Sequence, residues 1–321
     1  MILQQIKFLQ ELLDKYQINL LNSIFINFTL TIILLGLLIN AIEPHLPAFI
    51  TQSFRYGKHS HKGEQNPLIG KLEVPKSWFS HFYIFAFGWS LLALSLNLKV
   101  LIHGTTAPDC VVDFLDFVAG GKDRNVLVNS TSGFVATVLI TMQCVRRFYE
   151  TNFIQIFSSK SKINLSHYIV GFFHYFGCVA AVLANTEGFV RGTTPSSFSF
   201  QKITFMQYIC CFIFHFSWSQ QYKSNMILVN LRKDPAGNTV TEKHLMPQGG
   251  FFEFVSSPHM FFEVAMYVAI SGVIPASSTW AYIVIWVIAN QTENAWLTHK
   301  WYKENFKNYP KRRYAIYPYI L

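Results

Sequence analysis

Charge is scarce in this sequence. Asp, Glu, Lys and Arg supply only 13% of its 321 residues, against 51% hydrophobic and 17% aromatic. A soluble protein of this length needs more charge on its surface, and the apolar residues here fall in long blocks. A polytopic membrane protein is the direct reading. Cysteine is also sparse: the five, at positions 110, 144, 178, 210 and 211, form no CxxC pair. That excludes a disulfide framework and a zinc motif, so no metal is expected and the cysteines read as ordinary core residues. No GxGxxG follows a strand-like run, so a dinucleotide held by a Rossmann crossover is excluded. A basic start and a small-residue cleavage site are missing from the N-terminal stretch, which argues against a signal peptide. Internal repeats and low-complexity tracts are absent.

What is there is a series of apolar runs. Seven lie near 20–42, 78–102, 131–151, 165–188, 203–225, 251–273 and 277–297, each long enough for the roughly 20 residues a bilayer core requires. The expected fold class is all-α, a polytopic membrane protein of seven transmembrane helices. Ahead of them, Ile2, Ile6, Leu9, Leu13 and Tyr16 recur at helical spacing with Lys7, Glu11, Asp14 and Lys15 between. Residues 1–19 thus read as an amphipathic helix on a membrane surface, or as a flexible lead-in to the first span.

The net charge is +9, but its distribution matters more than its total. The basic residues are split among loops between apolar runs, which excludes nucleic acid as a partner. The first, third and fifth loops and the C-terminal tail, with the third run's basic end, hold 19 of the 26 Lys and Arg; the remaining seven lie on the other side. By the positive-inside rule the C-terminus is cytosolic and the N-terminus lumenal. The sequon Asn129-Ser130-Thr131 then falls on the lumenal side, as does the Pro108–Asn129 segment, in which no chemistry is evident.

Polar residues inside the last two runs need a reason. Glu263, Asn290, Gln291, Glu293 and Asn294 are costly in hydrocarbon unless they face a partner, water or a ligand. Asn290 and Asn294, one helical turn apart, also suit interhelical hydrogen bonding. The cytosolic ends of the fifth to seventh runs collect Gln221, Asn225, Arg232, His244, His299, Tyr302 and Lys311 among other donors. Such a set suits a polyanion, while Lys300, Lys307 and Arg313 read as orientation signals drawn to anionic headgroups. In Pro247-Gln248-Gly249-Gly250 the two glycines allow backbone amides to approach a ligand, or simply turn the chain into the sixth run. Glu253 suits a structural place at a helix N-terminus. The cationic loop at 52–77, with two prolines, reads as irregular. His174 and His215, alone in apolar runs, read as satisfied core histidines.

Several motifs together carry a resemblance. PQGGFFEFVSSP and THKWYKENFKNYPKRRYAIYP, with FRYGK at 54–58, VPKSWFSHFY at 74–83, RRFYE at 146–150 and QQYKSNMILVNLRKDPAG at 220–237, resemble the steroid 5-alpha-reductase family, and within it most the polyprenol reductases. The resemblance implies NADPH as cofactor, bound by a C-terminal domain at 200–321, with the helices of 20–190 on the substrate side. It implies cofactor contacts at Arg147, Gln221, Asn225, Arg232, His244, Gly249, Gly250, His259, Glu263, Asn294, His299, Tyr302 and Lys311, with Glu263 on the nicotinamide side. For catalysis it points to Glu73, an acid just before a hydrophobic-proline pair, with Tyr83 as the alternative donor. The plain readings are a solvated loop charge for Glu73 and an interfacial anchor for Tyr83. Three positions depart from the family pattern: Leu245 stands for an arginine, His259 for an asparagine, and Cys144 for the tyrosine of steroid-reducing members.

The implied activity is reduction of the α,β double bond of a long polyprenoid in the endoplasmic reticulum membrane, feeding dolichol synthesis and protein N-glycosylation. Chemistry favours the aldehyde as substrate, since an allylic alcohol offers hydride no electron-withdrawing group while a conjugated carbonyl accepts the charge. Two other acceptors suit the same family, a 3-oxo-4-ene steroid and a trans-2-enoyl thioester. A different class, a seven-helix receptor or carrier without catalysis, leaves the shared tail motif unexplained. The expected partners are a polyprenoid lipid and membrane lipids, with no obligate protein partner.

Overall fold

The computed structural model describes residues 11, 13, 15, 16, 18–60, 63, 66–158 and 161–321. Ile2, Ile6 and Leu9 of the expected amphipathic segment lie outside the described residues; of the others, Leu13 is buried and Tyr16 exposed. Each apolar run forms a helix. In chain order, α1 spans Leu20–Ile42, α2 Ala48–Phe54, α3 Pro67–Lys71, α4 Phe79–His103, α5 Asp109–Ala119, α6 Ser130–Tyr149, α7 Leu165–Ala184, α8 Phe205–Asn230, α9 Pro258–Val273 and α10 Ser278–Asn305. Strands β1, Glu73–Pro75, and β2, Lys162–Asn164, complete the set.

Local chemistry sets most of the helix starts. The Asn19 side chain accepts from the Asn22 amide at 2.9 Å and caps α1. Asn129, Asn164 and Ser277 cap α6, α7 and α10 in the same way. Thr204 and Gln207 form a reciprocal capping box on α8. Each side-chain oxygen satisfies an amide that the first helical turn leaves without a partner. The sixth run begins later than its composition suggests. Residues Gly250–Glu253 form a single 3-10 turn, and α9 starts at Pro258, where proline fits because the first turn needs no N–H from it. In the other direction, α8 and α10 outrun their apolar stretches to Asn230 and Asn305.

Among the described residues, Leu20–His45, Lys76–His103 and Leu165–Ala184 are long and apolar enough to cross a membrane, and α9 is a shorter apolar helix. Polar groups dilute the remaining long helices, and many of them point inward. Helix α6 buries Thr137, Thr141, Gln143 and Arg146. The most extensive packings pair α8 with α9, α4 with α6 and α1 with α10. Small residues permit close approach: a Cβ on Gly177 of α7 would stand 2.6 Å from the Phe25 ring of α1, and one on Gly171 would stand 2.6 Å from the Phe82 ring of α4.

Two loops depart from expectation. The 52–77 loop is not irregular: it holds α3, 3-10 turns at Gly57–His59 and Lys76–Trp78, and β1, which pairs antiparallel with β2 in the register Glu73 to Asn164 and Pro75 to Lys162. This small sheet is the one exception to the all-α expectation among the described residues. It anchors the first interhelical loop to the third. The Pro108–Asn129 segment forms α5 and is fastened by a buried ion pair, Arg124 to Asp116 at 2.7 Å, both side chains 1% exposed. Asp116 also pairs with Arg191 at 2.6 Å.

Candidate active site

A cavity of about 750 Å3 opens among α1, α4, α7, α8, α9 and α10. Its lining changes character along the chain. Loops and helix ends supply Lys58, Lys76, Arg232 and His244, while helix interiors supply Phe28, Ile32, Leu35, Phe82, Val170 and Trp286. The structure thus joins a cationic compartment to an apolar one.

Between them lies a hydrogen-bonded cluster. Arg147 Nη2 donates to Tyr83 Oη at 3.1 Å, and the guanidinium also lies 4.9 Å from the centre of the Tyr83 ring. Tyr83 packs against Tyr175, with ring centres 5.4 Å apart. Behind Arg147, the carboxylate of Glu150 is 1% exposed and sits between Arg147 and Arg146. Its Oε2 also accepts from Asn225 Nδ2 at 2.9 Å. Arg147 and Asn225 both bond Oε2, while Oε1 and Arg146 Nε, 3.3 Å apart, form an ion pair without a hydrogen bond. Arg147 is thereby fixed in aim at Tyr83. A second network runs through α6: Gln143 Nε2 donates to Gln221 Oε1 and Glu263 Oε2, each at 3.0 Å. Gln221 Nε2 donates to the same Glu263 oxygen and to the His259 carbonyl.

At the cationic end, Arg232 Nη1 donates to the Ile156 carbonyl at 2.5 Å, and its Nη2 stands 3.1 Å from His244 Nδ1. Burial, aided by Lys58, Arg232 and Lys76, holds the His244 imidazole down to about 3. Burial with Lys76 and Arg232 pushes Lys58 down to about 7. Burial and the neighbouring cations thus keep the His244 imidazole neutral and oppose charge on Lys58.

Ten of the fifteen candidate residues line this cavity: Tyr83, Arg147, Gln221, Asn225, Arg232, His244, His259, Glu263, Asn294 and Tyr302. The other five do not. Glu73, in β1, accepts from Gln52 Nε2 at 3.2 Å and lies 4.0 Å from Lys162 Nζ. Gly249 and Gly250 both adopt positive φ, at 85° and 55°, so glycine is needed for the turn itself. The Gly249 amide is already donated to Glu253, as the structural reading of that glutamate anticipates. His299 Nδ1 is buried against Ser256 Oγ at 2.7 Å and Tyr309 Oη at 2.9 Å, a lock on the tail. Lys311 is exposed. Arg313, read as an orientation charge, is instead 3% exposed and donates to the Pro247 carbonyl at 3.1 Å. His174 lines the cavity, bonded to Tyr267 Oη at 2.8 Å. His215 is exposed, so the core reading fails for it: its ring faces outward and, among the described residues, bonds its own helix at Cys211 O.

Sequence reasoning missed Gln143, Arg146, Glu150, Tyr175, Lys58 and Lys76. The RRFYE, FRYGK and VPKSW motifs contained four of them, yet offered no way to tell a buried strut from a surface charge.

The lining suits a phosphate-bearing dinucleotide. Amide and cationic donors converge on it, and His259 Nδ1 is buried with no hydrogen-bond partner among the described residues, an atom left for a ligand to satisfy.

Comparison with known proteins identifies the family. Residues 169–321 match the family described as 3-oxo-5-alpha-steroid 4-dehydrogenase. The chain is 55% identical to a Drosophila melanogaster polyprenal reductase over 98% of its length and 97% of that protein. It is 32% identical to a Caenorhabditis elegans polyprenal reductase over 87% of its length and 90% of that protein. To the Homo sapiens polyprenal reductase it is 29% identical, over 94% and 96%. The chain therefore belongs to the steroid 5-alpha-reductase family of oxidoreductases, in the branch that holds the polyprenal reductases.

Proposed function

We propose that this protein is an NADPH-dependent polyprenal reductase of the endoplasmic reticulum membrane. It saturates the α,β double bond of polyprenal to give dolichal, a step toward dolichol for protein N-glycosylation. The observation that carries this reading is the cavity, whose cationic compartment suits a dinucleotide and whose apolar one, among α1, α7 and α10, suits a prenyl chain. The relatives' shared name, polyprenal reductase, gives the substrate class. In this reading seven helices cross the bilayer, the N-terminus is lumenal and the C-terminus cytosolic. The C-terminal part from about residue 200 holds the cofactor, and helices of the 20–190 part hold the lipid. Partners beyond the substrate and the surrounding lipids are not required.

When bound, reduced nicotinamide supplies hydride to the β carbon. The protein's own part is to hold the other reactant and the proton. Tyr83 Oη accepts from Arg147, which leaves the hydroxyl hydrogen free to donate to the aldehyde oxygen as negative charge develops there. Arg147 stabilises the phenolate side of that proton's transfer, Glu150 keeps Arg147 in place, and the enol so formed takes a proton at the α carbon as its hydroxyl proton returns to Tyr83, giving the saturated aldehyde. Glu263, its Oε2 held by Gln143 and Gln221, would offer its other carboxylate oxygen to the carboxamide or ribose of the cofactor. Phe82, Tyr175 and Trp286 keep water from the reacting carbons.

The experiment is turnover by purified full-length protein in detergent, with NADPH and one acceptor at a time: polyprenal, a 3-oxo-4-ene steroid, or a trans-2-enoyl thioester. Polyprenal should be converted to dolichal. Conversion of the steroid alone would overturn the substrate, and no NADPH oxidation with any acceptor would overturn the reaction class.

A further inference from the structure

Four basic side chains from four separate parts of the chain meet at the polar mouth of the cavity. Lys58 comes from the Gly57–His59 turn, Lys76 from the turn after β1, Arg232 from just beyond α8, and His244 from the segment before α9. Their placement is built, not incidental. Lys58 Nζ stands 4.6 Å from the centre of the Tyr302 ring and 5.7 Å from that of Trp301. The His244 ring meets the Trp301 ring edge-on at 5.8 Å. Lys76 Nζ lies 5.6 Å from the centre of the Tyr56 ring. Gly57, at φ 61°, leaves room for it: a Cβ there would stand 3.0 Å from Lys76 Nζ. The β1–β2 pairing fixes the same turn, since the Lys76 amide donates to the Ser161 carbonyl at 2.9 Å.

Like charges brought together in a partly desolvated site oppose folding. Lys76 and Arg232 each make it harder to charge Lys58, and all three act on His244. The rings of Tyr302 and Tyr56 and the Ile156 carbonyl seat these groups, but each offers only part of what a charged donor can bond. A polyanion entering the mouth reverses the sign of the interaction and gives each donor a partner. His259 lines the same cavity, and its buried Nδ1 has no hydrogen-bond partner among the described residues.

We infer that Lys58 and Lys76, from the loop between α1 and α4, complete with Arg232 and His244 a binding subsite for the phosphate groups of the dinucleotide. This rests on the reading of the protein as an NADPH-dependent reductase. It means that the cofactor is clamped between the two parts of the chain, not held by the C-terminal part alone. The shared chemistry is phosphate, either the pyrophosphate or the 2′-phosphate, and the two are separable.

The test is equilibrium binding of NADPH and NADH to purified full-length protein in detergent, followed by nicotinamide fluorescence. The variants are Lys58→Gln, Lys76→Gln and the double variant, with Lys58→Arg as rescue and the exposed tail variant Lys307→Gln as control. Thermal unfolding of each checks that it is folded. Each glutamine variant should weaken NADPH binding about tenfold, the loss of one charge-assisted contact. Lys58→Arg should recover most of it, and Lys307→Gln should change nothing. A loss confined to NADPH places the 2′-phosphate in the subsite, and an equal loss for NADH places the pyrophosphate there. Unchanged NADPH affinity in folded Lys58→Gln and Lys76→Gln overturns the subsite while leaving the reductase reading intact. An equal loss in Lys307→Gln overturns it too, because the effect would then be general surface charge. Wild-type protein that binds neither nucleotide overturns both.

Discussion

Arg147 Nη2 donates to Tyr83 Oη across 3.1 Å, so the phenol's single hydrogen is left for another acceptor. A neutral donor beside a fixed cation is well placed to polarise a carbonyl. Tyr83→Phe removes the donor while keeping the ring that packs on Tyr175, and should lower kcat by about 100-fold or more with little change in NADPH affinity. Steady-state kinetics with polyprenal, paired with NADPH binding, separates the two quantities. A kcat within threefold of wild type would falsify the assignment.

Glu73 supplies the contrast. Its carboxylate meets Gln52 and, at longer range, Lys162, and it does not line the cavity. Glu73→Gln is expected to cost turnover far less than Tyr83→Phe, within about threefold, since a half-exposed pair 4.0 Å apart contributes little. If Glu73→Gln is the more damaging substitution, the donor assignments exchange places.

Cofactor affinity should fall as pH rises. In the free protein the Lys58 ammonium is held down to about 7 by burial and by Lys76 and Arg232. The other groups set around it are His59, His244 and the rings of Trp301 and Tyr302, and Glu242 acts on Arg232. A bound phosphate favours the charged lysine, so binding takes up a proton above that pH. From pH 7 to 9 the NADPH Kd should rise, by at most about tenfold per unit for one proton. Titrations across that range, repeated with Lys58→Gln, check it: the variant's profile should be flatter, and identical profiles would remove Lys58 as the origin.

The Arg124–Asp116 pair carries a stability prediction remote from the cavity. Both side chains are buried, and Asp116→Ala leaves the Arg124 guanidinium there with carbonyl partners only. The expected loss is about 3 kcal/mol or more, read as a lower unfolding temperature in detergent. Adding Arg124→Leu should restore part of it, because the uncompensated charge is then gone.

Gly177 tests the packing of α1 on α7. A side chain there must displace the Phe25 ring, and Gly177→Val should destabilise by about 1–3 kcal/mol through overpacking. An unfolding temperature equal to wild type would mean that α1 can move away freely.

The helices were legible because their cause is local. Long apolar blocks can satisfy their backbone only as helices in hydrocarbon, so α1 and α4 follow the composition to within a residue or two. The inward polar residues of α9 and α10 were legible for the same reason, as costs that composition alone could not explain. Elements whose cause is distant were not. Glu73–Pro75 is a strand only because Lys162–Asn164 lies beside it, and its own sequence, with proline, reads as a turn. Glu73 and Gly249 stood in recognisable motifs, yet the motifs did not reveal that Gln52 donates to one Glu73 oxygen and that Glu253 accepts from the Gly249 amide.

The sequence by itself determined that this chain is a bundle of apolar helices with a reductase-like tail, because hydrophobic blocks and a motif are written in consecutive residues. Only the tertiary structure decided which polar groups share one space. Lys58 and Lys76 meet Arg232 from more than 150 positions away in the chain, and Arg147 reaches Tyr83 from a neighbouring helix. Electrostatic interaction depends on distance in space and on burial, and neither quantity is a property of residue order.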